Sequence, residues 1–127
     1  MATDSFVKGV DFVYAHTRDI KESERFYSET LGLPVSARYG KLPGVEFETG
    51  TVTIAVIEAE AFGLEFLPNK QGIALRVDDV GETRKLLEDA GVNFIADTID
   101  SGVCHMAFFT DPDGNHLLLH HRYAPRA

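Results

Sequence analysis

The sequence lacks the features that mark several protein classes. Its only cysteine is Cys104, so no internal disulfide can form, which fits a reducing cytoplasm. No apolar run approaches the roughly 18 residues that a membrane span needs. The N-terminal residues show no basic region followed by an apolar stretch, so no secretory signal is predicted. We therefore expect a cytoplasmic protein with no membrane partner.

Clustered positive charge is also scarce. Asp and Glu total 20 against 12 for Lys and Arg, which gives a formal net charge of −8. Binding to a phosphate backbone needs a basic face, so a nucleic-acid partner is not expected. The glycines are scattered and form no loop that could cradle a phosphate. A length of 127 residues, 44% of them hydrophobic, fits one compact domain.

Two segments about sixty residues apart resemble each other. They read VDFVYAHTRDIKESERFYSETLGL (residues 10–33) and GIALRVDDVGETRKLLEDAGV (residues 72–92). Each begins with an apolar run of strand length. A capping-box pattern follows, in which an Asp side chain accepts from the first helical turn; the pairs are Asp19 with Glu22 and Asp79 with Glu82. Each helical segment then reaches a glycine, Gly32 or Gly91, as helix C-termini prefer.

Further strand-like runs follow each predicted helix. They cover residues 34–39, 45–49 and 52–58 in the first half and 93–96, 103–109 and 116–121 in the second. The duplicated order predicts one α+β domain over 1–127 with two βαβββ modules. We expect module one at about 8–58, an apolar linker at 59–70 that packs against the domain, module two at about 71–121, and a C-terminal tail at 122–127.

The last turn, TDPDGNHLLLHHRY (residues 110–123), raises the question of a metal site. An EF-hand calcium loop needs further oxygen ligands and a glutamate at its twelfth position, but leucines occupy the region that follows this turn. We therefore interpret Asp111 and Asp113 as parts of a hairpin turn.

Residues 11–33, 72–92 and FFTDPDGNHLLL (108–119) together resemble the vicinal oxygen chelate superfamily, which includes glyoxalases, extradiol dioxygenases and bleomycin-resistance proteins. The resemblance covers nearly the whole chain and is more specific for fold than for activity. It implies that the paired modules form a curved mixed sheet with a concave ligand cleft and with helices on the outer face.

Metal-dependent relatives hold a divalent ion in this cleft with ligands from strands one, four, five and eight. The resemblance places three of these ligand positions at Phe12, Gly72 and Leu118, whose side chains cannot coordinate an ion. The strand-four position remains open among Ile54, Val56 and Glu58. Since one carboxylate cannot hold a catalytic ion, no metal cofactor is expected.

A displaced metal site is the alternative. Because alternate residues of a strand point to the same face, we expect the side chains of four residues to face the cleft: His16, Glu58, His116 and His120. A cluster of His16, Glu58 and His120 would suit a metal-dependent glyoxalase-like lyase or isomerase, or a dioxygenase. The competing interpretation is that these histidines are solvated or bonded to the backbone.

The main hypothesis is reversible binding of a small, partly hydrophobic organic molecule. Resemblance to bleomycin-resistance proteins implies sequestration of a drug or metabolite, by a homodimer, and leaves open whether the chain is an enzyme. Arg76 and Glu58 are expected to lie within reach of each other and to contact an anionic ligand or form an ion pair. The candidate ligand-binding residues are Phe12, Tyr14, His16, Val56, Glu58, Ala74, Arg76, Phe108, Leu118 and His120.

Overall fold

The computed structural model describes residues 5–126 of the chain. Its elements in order are β1 (Phe12–Thr17), α1 (Ile20–Arg25) continued by a π-helical turn (Phe26–Thr30), β2 (Val35–Arg38), β3 (Gly44–Glu48), β4 (Thr53–Glu58), a 3₁₀ turn (Ala59–Phe62), β5 (Ile73–Arg76), α2 (Val80–Asp89), β6 (Ile99–Asp100), β7 (Cys104–Thr110) and β8 (His116–Arg122). Within this described part, no helix has the length and apolar character that crossing a membrane requires.

The strands form two four-stranded sheets of equivalent topology. Their orders are β1-β4-β3-β2 and β5-β8-β7-β6. In each sheet the first strand runs parallel to its neighbour, while the remaining pairs are antiparallel. The predicted α+β fold of two βαβββ modules is therefore confirmed, although β1 and β5 each form an open edge and do not join the sheets through a ladder within residues 5–126.

Both helices begin where the capping pattern predicts. The Asp19 carboxylate accepts from the Glu22 amide at 3.1 Å, and the Asp79 carboxylate accepts from the Glu82 amide at 2.9 Å. These bonds satisfy backbone donors that have no partner inside the helix. After each helix a glycine with positive φ turns the chain back toward the sheet: Gly32 at 73° and Gly91 at 95°.

One prediction of a strand is wrong. Residues 93–96 form only an isolated bridge between Phe94 and Phe109, and the strand that pairs with β7 is β6, three residues further on. Phe94 instead packs its ring against that of Phe109, with 5.1 Å between centroids. The apolar residues of this stretch thus fill the space beside the core rather than extend a sheet.

A single apolar core joins the two modules on the helix side of the sheets. Its largest fully buried side chains include Tyr27 and Phe47 of module one and Phe109 and Leu117 of module two. Removing these large apolar surfaces from water is the main force that holds the modules together.

The turn at residues 111–115 fastens module two to module one. The Tyr27 hydroxyl donates to Asp111 Oδ2 at 2.7 Å, and the side-chain Nδ2 of Asn115 donates to the backbone carbonyl of His16 at 2.8 Å. The Arg18 amide donates to Asp113 Oδ1 at 3.0 Å. Asp111 and Asp113 therefore have structural hydrogen-bond partners, as the hairpin interpretation predicts.

Candidate functional site

The ladder registers divide the strand residues of each module between two faces. In β1, Val13 and Ala15 pack into the core, so Phe12, Tyr14 and His16 lie on the opposite face. We call this opposite face of both sheets the cleft face. In module two it carries five of the predicted ligand-binding residues: Ala74, Arg76, Phe108, Leu118 and His120.

The prediction for strand four is wrong. Val56 pairs with Ala15 and Glu58 pairs with Thr17, so both lie on the helix face rather than the cleft face. The cleft-face residues of β4 are Thr53, Ala55 and Ile57. Neither Val56 nor Glu58 can therefore contact a ligand on the cleft face, and the strand offers no imidazole or carboxylate there.

Glu58 has a structural contact instead. Its Oε2 accepts from the backbone amide of Ile20, the first residue of α1, at 3.0 Å. A carboxylate at a helix N-terminus both satisfies an orphan donor and interacts favourably with the helix dipole. The expected ion pair between Glu58 and Arg76 is not formed among residues 5–126. Glu58 lies on the helix face of one sheet, whereas Arg76 lies on the cleft face of the other.

Leu118 covers Gly72 on the cleft face. A Cβ placed on Gly72 would lie 2.6 Å from Leu118 Cδ2 and 3.9 Å from the ring of Phe108. Leu118 is 7% exposed, and Phe108 is its cross-strand partner. An apolar surface therefore fills the region where strands five and eight approach each other.

An aromatic pair stands on the cleft face of β1. Phe12 and Tyr14 are 47% and 50% exposed, and their rings meet edge to face with 5.0 Å between centroids. Large aromatic surface left in water is available to stack against a planar molecule.

His16 is held by the linker. Its Nδ1 accepts from the Leu67 amide at 3.1 Å, so the remaining proton is on Nε2. Beside it, the Arg18 guanidinium lies 4.0 Å from the centre of the Phe66 ring. The linker thus packs against module one.

The displaced metal site is not formed. Across residues 5–126, no three His, Cys, Asp or Glu side chains are grouped as a metal site requires. Glu58 lies on the opposite face from His16, and His16 uses one ring nitrogen for the linker. The alternative built on His16, Glu58 and His120 is therefore wrong.

A polar pair on the cleft face was missed by sequence reasoning. Glu46 lies in one row with Ala55 and Tyr14, and its carboxylate accepts from the Tyr39 hydroxyl. Burial, followed by this hydrogen bond, raises the pKa of Tyr39 to about 12. The alternation of apolar and acidic residues in Val45-Glu46-Phe47-Glu48 could have revealed this pair. Because Val45 and Phe47 are buried on the helix face, both glutamates must lie on the cleft face.

The cleft-face donors do not fit the divalent ion of metal-dependent relatives. Phe12, Gly72 and Leu118 occupy three ligand positions that the resemblance assigns, and strand four offers only Thr53, Ala55 or Ile57. Such ions need several nitrogen or carboxylate oxygen ligands at one point.

Comparison with known families decides the classification. The model of the Glyoxalase/Bleomycin resistance protein/Dioxygenase superfamily matches residues 9–119. The chain belongs to this superfamily. Membership in the superfamily confirms the resemblance inferred from the duplicated modules and accounts for the fold, while the activity depends on the site.

Solved structures of superfamily members share the architecture. A member from Sphaerobacter thermophilus DSM 20745 has 23% identity and a TM-score of 0.77, covering 89% of this chain and 96% of that one. A member from Nocardioides has 17% identity and a TM-score of 0.74, covering 98% and 93%. A lactoylglutathione lyase from Agrobacterium tumefaciens has 14% identity and a TM-score of 0.77, covering 90% and 93%.

At these identities the likenesses show the fold alone. Among functionally curated proteins, no sequence match is found.

Proposed function

We propose that the chain reversibly binds a small, partly hydrophobic organic molecule on its cleft face and holds no catalytic metal there. The observation that carries the proposal is the Leu118 side chain, whose methyl group fills the space above Gly72, so that neither of these two positions, which supply metal ligands in relatives, offers a coordinating group. An apolar cleft with a few polar groups is the usual character of a small-molecule site.

The exposed Phe12 and Tyr14 pair supports a ligand with a planar aromatic part. Tyr39 and Glu46 supply a hydroxyl and a carboxylate on the same face for orientation. Binding of this kind requires no chemical step, and we propose sequestration of a drug or metabolite as its purpose. We further propose that a homodimer in the cytoplasm completes the cleft, where the single buried Cys104 would remain reduced.

The test uses calorimetric titration with neutral planar aromatics such as indole and 2-naphthol. Phe12→Ala and Tyr14→Ala are each expected to weaken binding by about 1 kcal/mol, roughly fivefold, because an aromatic contact contributes about that much. Both side chains are half exposed, so circular dichroism and thermal unfolding should show little change.

Tyr123→Ala is the matched control. Tyr123 is 46% exposed, close to the 50% of Tyr14, but it lies beyond β8 and bonds to Asp100. Its replacement should leave affinity for the aromatics unchanged. Equal loss in all three variants, or none in Phe12→Ala and Tyr14→Ala, contradicts the proposal.

A further inference from the structure

A groove of about 820 Å³ lies between the modules, along the open edges of β1 and β5. Its apolar walls include Val13 and Leu75 from the helix face of these strands, with Leu87 from α2 and Leu33 from the connection that follows the π-helical turn. We call it the seam groove. The aromatic pair Phe12 and Tyr14 does not line it, although Ala74, Arg76 and His120 of the cleft face do, and its volume is typical of small-molecule sites.

The charge along the seam groove is opposite to that of the whole chain. The chain has 20 acidic residues and 12 lysines and arginines, yet three arginines and one aspartate line the groove: Arg76, Arg122, Arg126 and Asp78. His120 and His121 also line it. A local excess of cations in an acidic protein attracts an anion selectively.

These cations are poorly supplied with acceptors. Arg76 is exposed and makes no ion pair or side-chain hydrogen bond to the described part of the chain. Arg122 has only Cys104 Sγ at 3.9 Å and the Pro125 carbonyl at 3.4 Å, and its Nε is buried with no acceptor among the described residues. The exposed Arg76 guanidinium therefore has donors available for an oxygen-bearing ligand, whereas the buried Nε of Arg122 is out of a ligand's reach.

We propose that the seam groove is a second binding site, which takes a small apolar molecule with one carboxylate. The guanidinium of Arg76, with His120 beside it across the β5–β8 ladder, pairs with the carboxylate at the open edge of β5. Arginine is suited to this role because its planar fork matches a carboxylate. The apolar tail lies along Val13, Leu33, Leu75 and Leu87.

The test is calorimetric titration of the full chain with octanoate, hexanoate, octan-1-ol and octylamine. Octanoate should bind more tightly than the alcohol or the amine. Each methylene from hexanoate to octanoate should improve affinity about fourfold, the amount expected for a buried CH₂. Arg76→Gln should weaken octanoate binding at least roughly tenfold and leave octan-1-ol unaffected, because only the charged hydrogen bond is lost.

Arg25→Gln is the matched control, since Arg25 is an exposed arginine in the last turn of α1, does not line the groove, and changes the net charge equally. Phe12→Ala should also leave octanoate binding unchanged, which separates this site from the proposed function. Equal affinities for octanoate and octylamine, or equal losses in Arg76→Gln and Arg25→Gln, overturn the proposal. It is likewise overturned if sedimentation shows a dimer that excludes octanoate, because a second copy then covers the groove.

Discussion

At the residue scale, the space above Gly72 decides the character of the cleft. Gly72 does not have the positive φ that would demand glycine, so its backbone accepts any residue and only neighbouring atoms restrict it. The restricting atom is Leu118 Cδ2, which would lie 2.6 Å from a Cβ at this position. The glycine and the leucine are therefore expected to be energetically coupled.

Gly72→Ala is expected to lower the free energy of unfolding by about 1 kcal/mol, the low end for overpacking, because the terminal methyl of Leu118 must move to admit the added methyl group. In a Leu118→Val background, which removes the δ carbons, the same change should cost less. Urea denaturation of the two single variants and the double variant measures this coupling.

Gly9→Ala is the control for the glycine substitution, since a Cβ there has no neighbour within 4 Å. If the changes in unfolding free energy for Gly72→Ala and Leu118→Val are additive in the double variant, the two positions do not compete for the same space.

At the element scale, the sequence predicts the ends of elements better than the orientation of β4. Helix caps and terminal glycines are local signals, so Asp19, Asp79, Gly32 and Gly91 could be identified directly. The run Thr-Ile-Ala-Val-Ile-Glu of β4 has four consecutive buried residues and no alternation. Periodicity therefore could not show that Glu58 lies on the helix face, which only its pairing with β1 reveals.

The turn at residues 111–115 is the element that ties the modules together, and Asp111 is its centre. The Asp111 carboxylate accepts four hydrogen bonds, from the Tyr27 hydroxyl, the Asn115 amide side chain and the backbone amides of Asp113 and Asn115. Burial is the larger effect and raises the pKa of Asp111 above its ordinary 3.8. The sequence alone predicts the turn but not its hydrogen-bond partners, because Tyr27 is 84 residues from Asp111 and His16 is 99 residues from Asn115.

The raised pKa of Asp111 predicts a pH dependence of stability. A folded state that holds the proton more tightly than the unfolded state is most favoured at low pH, and this contribution is lost as pH rises from about 3.8 through the raised folded pKa. The difference in unfolding free energy between the native chain and Asp111→Asn should therefore shrink across that window. Urea denaturation at a series of pH values measures it, and a difference that grows with pH contradicts the assignment.

At the scale of the whole molecule, the two modules give the cleft face opposite charge. Module one contributes Glu46 and Glu48, while module two contributes Arg76 and Arg122. The net charge of −8 conceals this division. It arises from strand register, so it could not be seen before the pairing of strands was known.

The proposed function depends above all on a cleft face that binds an organic molecule without a resident metal ion. Elemental analysis of the chain purified without chelators, followed by calorimetric titration with Ni²⁺ and Zn²⁺, tests this directly. We expect Ni, Co, Zn, Mn and Fe each well below one equivalent per chain, because the residues at the ligand positions offer no coordinating set. One equivalent of a bound ion that is lost in His16→Ala or His120→Ala would show instead that the cleft face is a metal site.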